Sequence, residues 1–315
     1  MKPIKLFLIN ALIAMCILFT NFCSQAEVTN DSSSNIVLVA STPGDSLIKS
    51  LLTIHPDTKV DFIRWDLTLK KGENDSKIFL LNIVFGEAQP NTLGFIGGGE
   101  KLTLEGKYTI FHNQKGNLNG EIYQLKSDKT PTTISIVKLN DNLFHLLTPD
   151  NNLMVGNDGW SYTLNRKEPL TNISKVLPSL TTSSSLPNDT ARQVIFDGRT
   201  PCLDFAKQYN LPVDNNCLKL KWKLTLYRDP NTLLPTTYTL KRTLHRSSDI
   251  IGKWTIVKGS DTNPNVVIYQ LDPDKPEESI SFLIGDENVI FFLDKNQQLY
   301  VGNNNFSYTL NKRSK

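Results

Sequence analysis

The sequence contains few of the side chains that bind soft metal ions. Its 315 residues include four cysteines, four histidines and three methionines. The histidines are scattered along the chain, at His55, His112, His145 and His245. Copper and similar metals are usually held by clusters of thiolate, thioether or imidazole ligands. The sequence therefore predicts no cofactor, and we expect His145, which lies in an apolar strand pattern, to be structural rather than a ligand.

An excess of charge of one sign is also absent. Lys and Arg number 34 and Asp and Glu number 31, which leaves a net charge of +3. The two signs alternate, and no long block of either occurs. Because nucleic-acid binding usually needs a basic stripe, we expect no nucleic-acid partner.

The motifs of common enzyme classes are missing as well. No G-x-S-x-G nucleophile elbow occurs. The glycine-rich stretch "GEAQPNTLGFIGGG", residues 86–99, is followed by Glu100 and a strand-like segment. A phosphate-binding P-loop needs Gly-Lys-Ser/Thr at that point and then a helix. We therefore predict a flexible hairpin tip at residues 86–99, no catalytic residues and no enzymatic activity.

A long hydrophobic run occurs only near the N-terminus. Lys2 and Lys5 precede an apolar stretch at residues 6–22, and the small residues Ser24 and Ala26 fit a cleavage site. These features predict a signal peptide over residues 1–26 and an extracytoplasmic protein, either periplasmic or secreted.

Cys23 leaves a second interpretation of this segment open. A lipoprotein signal also ends at a cysteine, which would be acylated and would hold the protein at the outer membrane. An uncleaved anchor is a third interpretation. Membrane contact is expected only through such an N-terminal anchor.

Two cysteines remain after residue 26, Cys202 and Cys217. A cysteine pair in an oxidising compartment is most simply a disulfide, and we predict one between them. The alternative hypothesis makes both residues thiolate ligands of a metal.

The chain contains an internal repeat. The stretch "VGNDGWSYTLNR", residues 155–166, returns at the end as "VGNNNFSYTLNK", residues 301–312. A shift of 146 residues aligns residues 105–166 with residues 251–312 without a gap. The chain therefore contains a duplicated domain.

The two copies differ in length. Upstream of the gap-free part, "RWDLTL" from Arg64 matches "KWKLTL" from Lys221, so the first copy carries 11 additional residues, which we assign to residues 86–99. Since this insertion occurs in one copy alone, we expect it to contact a partner.

The repeat also sets the predicted domain boundaries. We place the first copy at residues 35–166 and the second at residues 192–312. Residues 167–191 between them are rich in Ser, Thr and Pro, which is typical of a linker.

Strand patterns dominate both copies. In "LKLKWKLTL", apolar residues alternate with Lys and Thr, and short apolar runs of this kind recur about every ten residues between turn-forming clusters. This spacing predicts an all-β protein of two tandem small antiparallel β-barrels. One short helix is predicted near the start of each copy, at residues 45–52 and 203–209.

The order of these elements resembles a known family. The segments that carry the likeness are "PC" at 201–202, "LTLY" at 224–227, "GKWTI" at 252–256, "YQLD" at 269–272, "FFLDKN" at 291–296 and "FSYTL" at 306–310. Together they look like the N-terminal domain of the NlpE-type copper-resistance and envelope-stress lipoproteins. The resemblance implies a lipocalin-like antiparallel barrel in each copy and a place in the cell envelope.

One departure from the family bears on function. The family's metal-linked C-x-x-C is absent, because Cys202 is followed by Leu203-Asp204-Phe205. We therefore predict an exported, non-enzymatic binding or sensing protein of the envelope, with an envelope protein or a small apolar ligand as its partner. The alternatives are a lipocalin-like carrier of a small apolar ligand and a copper- or metal-handling resistance protein.

Overall fold

The computed structural model describes residues 35–71, 76–113, 120–180, 191–242 and 249–313. The predicted signal peptide at residues 1–26, Cys23, His245 and linker residues 181–190 lie outside the described residues. Asn35–Lys315 forms one compact unit. Within the described ranges, no helix has the length and hydropathy needed to cross a membrane.

The first copy folds into a closed antiparallel barrel. Each strand pairs with the next along the chain, and the last strand closes on the first through the pairing of Asn165 with Val39. The strands are β1 (Ile36–Pro43), β2 (Phe62–Lys71), β3 (Lys77–Gly86), β4 (Glu100–Asn113), β5 (Gly120–Ser127), β6 (Ile134–Asn140), β7 (Leu143–Leu147) and β8 (Thr163–Arg166).

The second copy forms a barrel of the same topology. Its last strand closes on its first through the pairing of Asn311 with Asp197. The strands are β9 (Gln193–Thr200), β10 (Leu220–Arg228), β11 (Pro235–Arg242), β12 (Ile250–Lys258), β13 (Val267–Leu271), β14 (Ile280–Ile284), β15 (Val289–Leu293) and β16 (Thr309–Lys312). The predicted all-β fold of two tandem barrels is confirmed.

Each barrel carries the short helix that the sequence predicts. Helix α1 (Ser46–Leu51) begins after Asp45, whose carboxylate accepts a hydrogen bond from the Ile48 backbone N–H at 3.0 Å. This N-cap satisfies one of the backbone donors that the first turn leaves free. Helix α2 (Leu203–Gln208) occupies the same place in the second copy.

The barrel interiors are filled by the alternating apolar residues of the strands. In each barrel one buried tryptophan is anchored in the same way. Trp65 donates from Nε1 to Thr42 Oγ1 at 2.8 Å, and Trp222 donates to Thr200 Oγ1 at 2.8 Å. A buried indole N–H needs such an acceptor, and the duplicated domain retains it in both copies.

The two barrels also share an apolar interface, distinct from either interior. Strands β7, β14 and β15 are buried at every position, so both of their faces are covered. One face lines the barrel and the other packs against the opposite barrel. This interface contains both members of several repeat-equivalent pairs: Ile122/Ile268, Val137/Leu283, Leu143/Val289, Leu147/Leu293 and Leu153/Leu299.

The repeated closing strands meet across this interface. The hydroxyl of Ser161 lies 2.5 Å from that of Ser307, and the hydroxyl of Thr163 lies 2.8 Å from that of Thr309. Each residue thus contacts its own counterpart in the other copy, as in an isologous two-fold interface. The repeated sequence therefore closes each barrel and also joins the two.

Two reciprocal hydrogen bonds flank these pairs. Asn311 Oδ1 accepts from the Gly156 backbone N–H at 2.8 Å, and Asn165 Oδ1 accepts from the Gly302 N–H at 2.7 Å. A Cβ on Gly156 would lie 2.2 Å from the Trp160 carbonyl oxygen, so the backbone approaches too closely for any other residue.

The described part of the predicted linker packs against the second barrel. Leu177 and Leu180 are buried in the apolar interface. Asn263 donates from Nδ2 to the Leu177 carbonyl at 2.9 Å, and Ser179 donates to the Asn265 carbonyl at 3.3 Å. Residues 167–180 thus contribute to the contact between the barrels.

Candidate functional site

The insertion of the first copy forms a structured loop between β3 and β4. Its ends are fixed by the Asp61 carboxylate, which accepts from the Ala88 N–H at 2.7 Å, and by the bond from Gln89 N–H to the Gly94 carbonyl at 3.0 Å. Gly99 has a φ of +76°, and a Cβ there would lie 2.9 Å from the Phe85 carbonyl oxygen. The predicted hairpin tip is thus present, with defined internal contacts.

The loop reaches back over the end of the first barrel through a stack of three aromatic rings. Phe95 of the loop stacks on Phe62 with centroids 4.0 Å apart and an interplanar angle of 11°. Phe62 in turn stacks on Trp160, with centroids 4.9 Å apart and an angle of 10°. Two of these rings, Phe62 and Trp160, line a cleft that opens between the two barrels.

Arg64 connects the loop to the second barrel. Its Nη2 donates to the Leu93 carbonyl at 2.6 Å and to Asn305 Oδ1 at 3.0 Å. The guanidinium also lies 5.7 Å from the centroid of Phe62, a cation–π distance. Burial lowers the pKa of Arg64 below its usual range.

Two further cations reach the cleft from the second barrel. The guanidinium of Arg199 lies 5.7 Å from the Trp160 ring centroid, and the ammonium of Lys219 lies 5.6 Å from that of Phe306. The pKa of Lys219 is lowered, first by desolvation and then by the positive charges of Arg199 and Lys221. The cationic groups at this place therefore repel one another.

The cleft has a volume of about 180 Å³. Its walls come from both barrels and from residues 88–94 of the loop, and the described residues that line it include no Asp or Glu. The Nε atoms of Arg64 and Arg199 are buried and have no hydrogen-bond partner. An unpaired buried donor of a charged group is costly in free energy. Because no described lining residue is acidic, the positive charge of the cleft is not neutralised by its own lining residues.

A second concavity at the barrel interface has a different electrostatic character. It is lined by residues around Gly156 together with Asp197 and Arg313. There the Arg313 guanidinium forms an ion pair with the buried Asp197 carboxylate at 2.5 Å. The contrast marks the first cleft as the one with uncompensated positive charge.

Two of the three cations of the cleft, Arg199 and Lys219, arise where the two repeats differ. Arg199 occupies the position that Ser41 has in the first copy, and Lys219 occupies the position of Phe62. No sequence motif marks Arg64, Arg199 or Lys219 as binding residues. A comparison of equivalent positions in the two copies would have singled out Arg199 and Lys219.

The predicted disulfide between Cys202 and Cys217 is present, with their Cα atoms 5.7 Å apart. Cys202 is buried in the core of the second barrel, where it precedes helix α2. The metal-ligand hypothesis for this pair needs two thiolates, which a disulfide does not supply. Neither cysteine lines the cleft, but the Cys217 Sγ lies 3.9 Å from the carbonyl oxygen of Lys219, which does.

His145 lies fully buried at the barrel interface. Its Nδ1 is 2.9 Å from Thr163 Oγ1, and its Nε2 is 2.9 Å from the Met154 carbonyl oxygen. Both ring nitrogens therefore have partners inside the protein. Across the described ranges, no three or more His, Cys, Asp or Glu side chains converge as a set of metal ligands.

Side chains occupy the barrel interiors at the positions where a lipocalin-like carrier would hold its ligand. In the first barrel Trp65, Phe144 and Tyr162 are almost completely buried, and in the second Phe205, Phe282 and Phe292 are. The cleft between the barrels is a concave site that combines open volume with polar groups.

Comparison of the chain with protein-family models, with curated proteins and with solved structures finds no match.

Proposed function

We propose that this protein is an exported, non-enzymatic binding protein of the cell envelope that takes its ligand or partner in the cleft between its two barrels. The observation that carries the proposal is the position of the insertion loop. Residues 88–94, present in one copy alone, line a cleft whose other walls come from both barrels. Loops on a rigid scaffold are the usual place of binding residues.

The N-terminal sequence and the disulfide support the assignment to the envelope. The pattern of residues 1–26 is that of a secretory signal, and disulfides persist in oxidising compartments. The closed antiparallel barrels agree with the fold that the NlpE-type resemblance implies. The alternative within this assignment is a lipoprotein signal, in which cleavage before Cys23 leaves an acylated Cys23 as the first residue and holds the protein at the outer membrane.

The barrel interface supports a binding role of a particular kind. Because both barrels contribute to one apolar core between them, the cleft walls are held in a fixed relation. Such preorganisation reduces the entropy lost when a ligand binds. In this proposal the duplicated domain provides the two barrels that together build one binding site.

Site-specific photo-crosslinking in intact cells tests this function. A photoreactive residue replaces Gln89 or Thr92, which are exposed at the cleft, and a control variant carries it at Asp274, which is exposed in the turn between β13 and β14. We expect mature protein that lacks residues 1–26, recovered from the envelope, with a covalent adduct at the cleft positions and none at Asp274. Retention in the cytoplasm, or equal adducts at all three positions, would contradict the proposal.

A further inference from the structure

We infer that the cleft is a binding site for a phosphate monoester, held by Arg64, Arg199 and Lys219; this inference rests on the proposed function of the cleft. Three cations line one cavity, and no described lining residue is acidic. A dianionic phosphoryl group matches this charge better than a carboxylate or a phosphodiester, which each carry a single negative charge.

The guanidinium groups of the cleft indicate which ligand chemistry fits it. Arg64 uses Nη2 to bond Leu93 and Asn305, which leaves its buried Nε without a partner, and the Nε of Arg199 is in the same state. A planar guanidinium presents its donors as a fork, which matches the oxygens of a phosphate. A phosphoryl group supplies acceptor oxygens that suit guanidinium groups of this kind.

The aromatic rings hold the cations in place before a ligand arrives. Arg64 lies over Phe62 and Phe95, Arg199 over Trp160, and Lys219 over Phe306. Cation–π contacts of this kind restrict the rotamers of long side chains. They offer no negative charge, so the rings position the cations and leave their charge available.

The internal repeat shows that the barrel fold does not require these charges. The first barrel closes with Ser41 where the second has Arg199, and with Phe62 where the second has Lys219. A structural role common to both barrels would place similar residues at both positions. Arg199 and Lys219 are therefore specific to the cleft, whereas Arg64 aligns with another cation, Lys221, in the second copy.

The size of the cleft limits the ligand. A volume of about 180 Å³ corresponds to about six water molecules at the density of the liquid. This accommodates a phosphoryl group with a short polar body, such as that of glycerol phosphate. A soluble phosphate ester and the headgroup of a phosphomonoester lipid carry the same chemistry.

Isothermal titration calorimetry of the full mature chain tests the inference. The probes are inorganic phosphate, glycerol 3-phosphate, and vesicles of phosphatidylcholine with or without phosphatidic acid. We expect saturable binding of glycerol 3-phosphate or of phosphatidic acid vesicles that weakens as the salt concentration rises. Binding of the vesicles alone would assign the ligand to a lipid headgroup, and binding of the soluble ester would assign it to a soluble metabolite.

Matched variants separate a built site from general attraction to positive charge. Arg199→Ser introduces the residue of the first copy, and Lys219→Gln removes the second charge. Lys107→Gln and Lys253→Gln remove exposed charges at repeat-equivalent positions away from the cleft. We expect at least about a tenfold loss of affinity in each cleft variant and an unchanged affinity in each control, with the melting temperature of every variant measured as a check on folding.

Two outcomes would overturn the inference. One is the absence of binding of all these probes to the wild-type chain, and the other is an equal loss of affinity in the cleft and control variants. If the cleft crosslinks a ligand in cells but binds no phosphate monoester, the phosphate assignment fails and the proposed function stands. If the cleft neither crosslinks a ligand in cells nor binds a phosphate monoester, the phosphate assignment and the proposed function are both contradicted.

Discussion

His145 of the first barrel meets Phe291, its counterpart in the second repeat, edge to face with ring centroids 5.6 Å apart and an interplanar angle of 85°. Like Ser161 with Ser307, these two residues occupy equivalent positions of the two copies. Because the imidazole is fully buried, desolvation lowers the pKa of His145 to about 4, although its bond to the Met154 carbonyl acts in the opposite direction. His145 is therefore neutral in the folded protein at physiological pH.

This burial predicts a loss of stability in mild acid. Below its ordinary pKa of 6.5, His145 takes up a proton in the unfolded chain but not in the folded one. The stability that it contributes above pH 6.5 is lost as the pH falls toward 4, by about 3 kcal/mol. His145→Gln, which retains hydrogen-bonding groups, removes this titration. The free energy of unfolding, measured in urea from pH 7 to 4, should decline more steeply for the wild type than for the variant. Parallel pH dependences of the two proteins would refute the prediction.

The barrel interface predicts the behaviour of an isolated copy. Since Ser161, Thr163 and His145 each contact their own counterparts, we expect the exposed face of residues 35–166 alone to be self-complementary. We expect this fragment to form a homodimer in which Thr163 faces Thr163 of a second molecule. Light scattering after gel filtration measures the mass. Leu147→Glu, placed in the apolar interface, should yield a monomer, and a monomeric fragment without this substitution would contradict the expectation.

The hydrogen bonds donated by the two buried indoles predict the same loss of stability in both barrels when their acceptors are removed. Thr42→Val leaves the Trp65 N–H without an acceptor, and Thr200→Val does the same to Trp222. Each substitution should lower the free energy of unfolding by about 1–3 kcal/mol. Thr103→Val, at an exposed position, is the control and should change it by less than about 0.5 kcal/mol. An unchanged free energy of unfolding in the Thr42 or Thr200 variant would show that the hydrogen bond contributes little to stability.

The disulfide predicts a measurable stabilisation of the second barrel. Its cysteines are separated by 15 residues, and closing a loop of this length contributes about 3 kcal/mol in the chain-entropy model. The double variant Cys202→Ser, Cys217→Ser should lose about this amount in denaturant unfolding. Thiol titration of the exported wild-type protein should find both sulfurs blocked. Two reactive thiols would instead revive the metal-ligand hypothesis.

Much of the fold was predictable because the signals are local. The alternation in "LKLKWKLTL" predicted a strand with one buried face, and residues 220–226 of this stretch lie in β10, whereas Leu218 precedes the strand and is exposed. The helix boundaries agree within about two residues, because α1 begins beside the cap at Asp45. The gap-free alignment of residues 105–166 with residues 251–312 predicted a second barrel like the first.

The sequence also contains a pattern that indicates the contact between the barrels. "VIFFL" in β15 is a continuous apolar run, "ISFLI" in β14 is interrupted only by Ser281, and every residue in both is buried. Such runs are typical of strands covered on both faces. Their presence in both copies indicated that each barrel packs against another surface.

The cleft was not predictable from local pattern. Arg64, Arg199 and Lys219 lie far apart along the chain, in no motif, and only the meeting of the two barrels brings them to one cavity. Comparison of the repeats would have marked Arg199 and Lys219 as differences. It would not have shown that both face the insertion loop.

The central claim is that the cleft between the barrels is the binding site, and Trp160 in its wall provides the most direct measurement. Titration of glycerol 3-phosphate into the wild-type chain should produce a saturable change in tryptophan fluorescence. The matched variant Trp160→Phe, which carries the residue found at Phe306 in the second copy, should lose that change but still bind in calorimetry. A fluorescence change of equal size in both proteins, or none in the wild type with either glycerol 3-phosphate or phosphatidic acid vesicles, would contradict the assignment of a phosphate monoester to this cleft.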